Sequence, residues 1–197
     1  TSFSGQVAIP TIVFFLILVL SYAVLWFVYV NEYIVNWLVG LIGSVLAYGM
    51  FTIAHEASHG NISGGNTRLK KLETTLGWLS SATLFFPYSA FVVIHLSHHA
   101  HTNDPHHDPD GYVKGDNAVE IFFRCVTLIG FYYVHSLGEE SKDNPALLGT
   151  RKHTIFFIFV LVSIALAFIA TGNFGTYFFV FVMPALLVAP FLGSTFD

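Results

Sequence analysis

Two groups of histidines in the sequence have the spacing of metal ligands on helices. His55 and His59 are four residues apart in the segment HEASH, and His95, His98 and His99 follow an i, i+3, i+4 pattern in HLSHH. Side chains at these spacings share one face of a helix. Neutral imidazole is a common metal ligand and brings no charge to a membrane boundary. Because both groups end apolar segments, the sequence predicts that they converge on one metal site.

Acidic residues near these histidines could accept the second ring N–H of a ligating imidazole, which is a common way of orienting such a ligand. The candidates are Glu56, Asp104, Asp108 and Asp110. The three aspartates also stand in NDP and DPDG segments, which are typical of turns, so a purely structural role stays open for them.

Five further histidines share no helical register with the two groups. We interpret them as anchors at a membrane interface or as loose metal-binding side chains, outside the ligand set: His101, His106, His107, His135 and His153. The single cysteine, Cys125, excludes a Cys-based zinc site, so a metal must be held by nitrogen and oxygen atoms. Imidazoles suit iron, zinc, copper and nickel alike, so the residue types do not select the metal.

The composition is that of a membrane protein. Of the 197 residues, 54% are hydrophobic and only 10% are charged, and the mean hydropathy is +0.67, far above that of an ordinary soluble domain. A net charge of −4 and the lack of a basic stripe argue against a nucleic-acid partner.

Four apolar segments predict two transmembrane hairpins. Residues 8–54 form the first hairpin around a short polar break, and residues 154–195 form the second around TGNFG. The first segment, residues 8–30, is long enough as a helix to cross a hydrocarbon core of about 30 Å. Pro184 and Pro190 predict a kink in the last helix. All eight lysines and arginines lie between the hairpins, so residues 55–153 are predicted to be a cytoplasmic or interfacial metal-binding region.

Two segments of this middle region are apolar but are not predicted to cross the membrane. Residues 76–94 are interrupted by Pro87 and flanked by basic residues, which favours a shallow or re-entrant segment. Residues 118–137 form an amphipathic helix expected to lie in the interface, with one apolar face: Ile121, Cys125, Leu128 and Tyr132. The predicted fold is therefore an all-α integral membrane protein, with two transmembrane hairpins, a cytoplasmic histidine-rich region and interfacial helices in one domain over residues 1–197.

The histidine groups resemble those of the membrane fatty acid desaturase-like superfamily. HEASH is similar to its HxxxH box and HLSHH to its HxxHH box, and the order of hairpin, box, short segment, box and hairpin matches as well. Within that superfamily, HHAHTNDPHHDPD looks most like bacterial fatty acid desaturases and the beta-carotene hydroxylase branch. The resemblance covers nearly the whole chain.

The resemblance implies an O2-dependent, non-haem di-iron enzyme that takes a lipid from the bilayer. The two irons would be held by His55, His59, His95, His98 and His99, and O2 would be the co-substrate. Electrons would come from an external donor of ferredoxin or cytochrome type. The activity implied is fatty acyl desaturation, with hydroxylation of a carotenoid ring as the alternative.

The superfamily carries a third histidine box after the second hairpin, and this sequence stops before it. Because the chain begins with Thr and ends in an apolar segment, we expect a fragment truncated at both ends and inactive alone. Two other classes stay open. HEASH also fits the HExxH pattern of an intramembrane zinc metalloprotease, with Glu56 as general base. A histidine-rich loop would also suit a metal transporter, although the first two spans lack ionisable residues at mid-membrane.

Overall fold

A computed structural model describes residues 6–102, 104 and 106–194, and this part of the chain is helical with no strand. The main helices in chain order are α1 (Ile9–Val30), α2 (Asn36–Ser58), α3 (Lys70–Ala82), α4 (Tyr88–His101), α5 (Ala118–Leu137), α6 (Pro145–Ala170), α7 (Phe174–Tyr177) and α8 (Met183–Ser194). Short 3₁₀ turns at Pro109–Val113 and Glu139–Lys142 flank α5, and a π-helical turn at Phe178–Val182 joins α7 to α8.

Five of the helical segments are long and apolar enough to cross a membrane. Four of them are α1, α2, α6 and the continuous run from α7 into α8, which are the segments predicted to form the two hairpins. The fifth is α5. Residues 76–94 are divided between α3 and α4, with Pro87 at the break, and neither helix is among the five.

Helix α2 carries the first histidine group and packs closely against its neighbours through glycines. A Cβ atom at Gly43 would lie 2.6 Å from Pro184 Cγ, and one at Gly49 would lie 2.8 Å from Leu18 Cδ2. Contacts this short exist only because glycine has no side chain, which is how membrane helices commonly approach each other. The position of α2 is therefore fixed by α1 on one side and α8 on the other.

The last transmembrane run widens where proline was expected to disturb it. The π-helical turn Phe178–Val182 ends two residues before Pro184. Proline has no N–H to donate, and its ring collides with the preceding turn of an α-helix. Widening the turn is one of the known ways in which a helix accommodates this conflict. Pro190 lies inside α8.

Helix α5 packs through the face that its sequence pattern predicts. Cys125, Leu128 and Tyr132 are buried, and Ile121 packs against the same core. Pro109 before α5 and Asn144 after it line one cavity together with His101. His135, in the last turn of α5, lines the same cavity, so the C-terminal end of α5 lies on the side of the second histidine group. The interfacial position of α5 stays a prediction.

Candidate metal centre

The end of α2 presents His55 and His59 toward the same space. His59 is the C-cap residue, and its backbone N–H donates to the carbonyl oxygen of His55 at 3.3 Å. The Ser58 hydroxyl donates to the same carbonyl at 2.6 Å. These bonds hold the last turn of the helix, and the two imidazole rings lie 4.7 Å apart between centroids.

Helix α4 brings the second group to the same point. It begins at Tyr88 after Pro87, and the ring of Phe91 stacks on His95 at 5.1 Å, which fixes the orientation of that imidazole. His95 Nε2 lies 3.0 Å from His59 Nε2 and 3.1 Å from His99 Nε2. The ligand atoms of four histidines all lie within 4.8 Å of one another: His55, His59, His95 and His99.

This arrangement suits a metal better than a hydrogen-bonded cluster. Two nitrogens bound tetrahedrally at about 2.0–2.1 Å from one ion would be about 3.3 Å apart, close to the separations of the Nε2 atoms here. His95 Nε2 is close to two other Nε2 atoms but carries only one proton or one lone pair, so hydrogen bonding alone satisfies the two contacts poorly. A nitrogen donor set that is partly buried and crowded in this way fits a transition-metal ion.

The surroundings of His59 and His95 favour the unprotonated imidazole, which is the form that binds a metal. Burial, with a smaller contribution from the neighbouring histidines, lowers the pKa of His95 to about 3. Burial, followed by His55 and His99, also lowers the pKa of His59 below its ordinary value. Since a metal binds the unprotonated nitrogen, a lowered pKa reduces the competition from protons near neutral pH.

His98 lies beside the four converging histidines and is bound to carboxylates. Its Nδ1 is 2.8 Å from Asp108 Oδ1 and 3.8 Å from Asp110 Oδ2, and both aspartate side chains are buried. Asp108 Oδ1 also accepts the backbone N–H of Asp110 at 3.0 Å. Burial raises the pKa of Asp110 to about 6, against the opposing effect of His98. His98 still lines the same cavity as His55 and His99.

The other two candidate carboxylates have different partners. Glu56 Oε1 lies 3.4 Å from His55 Nδ1, while its Oε2 accepts from Asn61 at 2.9 Å. Asp104 accepts the backbone N–H groups of His106 and His107 and lies 3.1 Å from His107 Nδ1, with its pKa lowered to about 2 by these bonds. Glu56 therefore contacts the histidine cluster, whereas Asp104 stabilises the turn after α4 by accepting hydrogen bonds from its backbone.

A cavity of about 250 Å³ lies directly beside the cluster. Its wall on α2 is formed by Tyr48, Phe51 and Thr52, and its floor by the histidines. Tyr48 is 44% exposed, on a helix whose outer surface is apolar enough to face lipid. A hydrocarbon could thus reach the imidazoles from the side of the bilayer. The sequence did not predict this cavity, because hydropathy does not show which face of α2 borders a space beside the histidines.

Comparison with known proteins places the chain among enzymes that carry such histidine groups. A family model described as "Fatty acid desaturase" matches residues 35–196, which is most of the chain. A zeaxanthin 4-ketolase from Chlamydomonas reinhardtii is 37% identical over 76 residues, covering 38% of this chain and 16% of that protein. An sn-1 acyl-lipid omega-3 desaturase (ferredoxin) from Synechocystis sp. is 29% identical over 92 residues, covering 47% of this chain and 24% of that protein. The matched region thus spans less than a quarter of the curated relatives' own length.

Proposed function

The chain belongs to the fatty acid desaturase family, and from that premise we propose that it forms the di-iron site of an O2-dependent membrane enzyme that oxidises a lipid hydrocarbon. The reaction we propose first is desaturation of a fatty acyl chain. The chain is an integral membrane protein, with five segments able to cross the bilayer. We further propose that the histidine groups lie on the cytoplasmic side, as the distribution of basic residues predicts.

The observation that carries this proposal is the convergence of four imidazoles from two separate helices. His55 and His59 end α2, His95 and His99 belong to α4, and their ligand atoms lie within 4.8 Å of one another. We propose that these four, together with His98, hold two non-haem iron ions. Iron bound there would supply O2-dependent oxidation of an unactivated C–H bond.

The protein's own residues would orient the ligands and the substrate. Asp108 accepts the Nδ1–H of His98 and thereby directs the other ring nitrogen away from itself. The ring of Phe91 covers one face of His95 and limits its rotation. The cavity formed by Tyr48, Phe51 and Thr52 would hold a hydrocarbon segment next to the imidazoles and exclude water around it.

A carotenoid is the alternative substrate, and hydroxylation of its ring is the alternative reaction. The similarity to a protein named as a zeaxanthin ketolase supports this alternative, and the similarity to a protein named as an acyl-lipid desaturase supports the first. The second name also contains ferredoxin, which supports an external electron donor of ferredoxin type for this chain, with a cytochrome-type donor as the other choice.

A zinc protease of the HExxH type fits the histidine cluster less well. A protease of the HExxH type would use only two of the four converging histidines, and the family match is to a different class of enzyme. In addition, Glu56 would be the general base of such a protease, and one of its carboxylate oxygens, Oε2, already accepts a hydrogen bond from Asn61. The transporter alternative gains no support from a cluster at a helix end, because transporters place their ligands near mid-membrane.

The test is to express the complete gene product in a host that makes both fatty acids and beta-carotene and to analyse the lipids by mass spectrometry. New acyl double bonds would support desaturation, and oxygenated carotenoids would support hydroxylation. His99→Ala should abolish either product, whereas His153→Ala, which alters a histidine outside the cluster, should not. An iron-loaded, reduced protein that leaves both lipid classes unchanged would contradict the proposal.

A further inference from the structure

A buried polar chain runs from the histidine centre into α5. The Tyr132 hydroxyl donates to Asp110 Oδ1 at 3.2 Å, and Asp110 Oδ2 lies 3.8 Å from His98 Nδ1. Asp110 is 1% exposed and Tyr132 is 3% exposed, so water has almost no access to either side chain. Three residues that are far apart in sequence thus form one continuous set of polar contacts.

Asp110 needs an external group to fix its orientation. A buried carboxylate oxygen without a hydrogen bond costs free energy, so such groups are normally paired. Asp110 Oδ1 has the Tyr132 hydroxyl, whereas Asp110 Oδ2 makes no hydrogen bond to any residue that the structure describes. The Tyr132 hydroxyl is therefore the contact that sets the rotation of this carboxylate and aims its second oxygen at His98.

Tyr132 also touches the apolar side of the centre. Its ring lines a small apolar pocket together with Phe51, Phe91 and Leu128, and its centroid lies 6.2 Å from that of Phe91. Phe91 in turn stacks on His95. The hydroxyl of Tyr132 thus faces the carboxylates while its ring faces the hydrophobic core, so small rotations of the ring are blocked by packing.

We propose that Tyr132 is a positioning residue of the histidine centre, whose hydroxyl fixes Asp110 and, together with Asp108, holds the imidazole of His98 in its ligating orientation. This inference rests on the proposed metal-binding function. This role of α5 could not be predicted from its amphipathic pattern, because the pattern identifies Tyr132 only as one residue of an apolar face. Outer partners of ligating histidines typically change metal affinity by about 10- to 100-fold when they are removed.

The test uses Co²⁺ as the probe in the purified complete protein, with affinity and the visible absorption spectrum of the bound ion as readouts. Tyr132→Phe should weaken Co²⁺ binding by about 10-fold and alter the spectrum. Tyr133→Phe is the matched control, because Tyr133 is the next residue of α5 and donates a 2.6 Å bond to the Phe85 carbonyl, away from His98. It should leave both readouts unchanged.

A double-mutant comparison separates positioning from a general loss of stability. Asp110→Asn should weaken Co²⁺ binding, and adding Tyr132→Phe to it should have little further effect, because both changes break the same chain of contacts. Tyr132→Phe that binds Co²⁺ with wild-type affinity and spectrum, or that adds its full effect to Asp110→Asn, would overturn the inference. A wild-type protein that binds no Co²⁺ would instead overturn the proposed function itself.

Discussion

At the scale of single residues, the centre depends on imidazoles that stay unprotonated in a partly buried place. His95 is almost fully buried between Phe91 and the other histidines, and this burial, followed by the effect of the histidines, lowers its pKa to about 3. A protonated His95 would place a positive charge in a buried position beside His55, His59, His98 and His99, all of which lower its pKa. The environment therefore favours a lone pair at this position, which is the form that binds a metal.

The metal-free protein is accordingly expected to lose stability as the pH falls below about 6.5. The folded chain binds the His95 proton more weakly than the unfolded chain, whose imidazole has a pKa near 6.5, so acidification favours unfolding between about pH 6.5 and 3. Thermal unfolding of metal-free protein in detergent at several pH values measures this effect. His95→Gln cannot titrate and should show a weaker dependence on pH; an equal dependence in the two proteins would contradict this account of His95.

Asp108 offers a second test at this scale. Asp108→Asn keeps the shape of the side chain but removes the carboxylate that accepts from His98, so iron affinity should fall by about 10- to 100-fold. Asp104→Asn is the matched control, because Asp104 binds His107 in an exposed turn. Iron titration followed by metal analysis compares the two. A similar loss in both variants, or in neither, would show that Asp108 does not orient a ligand.

The sequence predicted the residues that converge better than the residues that support them. Helical spacing alone placed His55 beside His59 and His95 beside His99, because the spacing fixes the face of a helix. The sequence could not distinguish Asp104 from Asp108, because each is followed directly by a proline in a segment typical of turns. Only the backbone path after α4 determines that Asp108 meets His98 while Asp104 caps the turn.

At the scale of the helices, the centre requires α2 to be held at a fixed depth against α8. Gly43→Ala would bring a Cβ atom to 2.6 Å from the rigid ring of Pro184, so the two helices would have to separate. Overpacking of this kind costs about 1–3 kcal/mol. The measurement is thermal unfolding together with iron affinity, and both should fall.

Gly130→Ala is the control for that substitution. Gly130 lies in α5 with no heavy atom within 4 Å of an added Cβ, so stability should stay the same or rise slightly, because alanine is the better helix former. Equal stability of the two alanine variants would mean that α2 and α8 are not in the close contact described here.

The helices themselves were largely predictable, and their interruptions were only partly so. Long apolar runs gave α1, α2 and α6, and Pro87 correctly marked the division between α3 and α4. The π-helical turn before Pro184 was not predicted, because a proline in a membrane helix can be accommodated in several ways that depend on its neighbours. The pairing of Gly43 with Pro184 is a tertiary contact that hydropathy does not contain.

At the scale of the whole molecule, the account requires both ends of α5 to lie on one side of the membrane. In a Cys125→Ala background, Asp116→Cys, just before α5, and Asp143→Cys, after it, should react with an impermeant maleimide from the same side of the membrane. Tyr33→Cys, which is 74% exposed between α1 and α2, should react from the opposite side. Labelling of positions 116 and 143 from opposite sides would mean that α5 crosses the bilayer and that the interfacial prediction is wrong.

The most direct test of the central claim is anaerobic Fe²⁺ binding to the complete protein with one ligand removed from each helix. His59→Ala on α2 and His99→Ala on α4 should each weaken binding of the same iron, and the double variant should be little worse than either single variant, because the two imidazoles serve one centre. His153→Ala should bind iron like the wild type. Wild-type iron affinity in His59→Ala or His99→Ala, or independent losses that simply add, would contradict a shared metal centre.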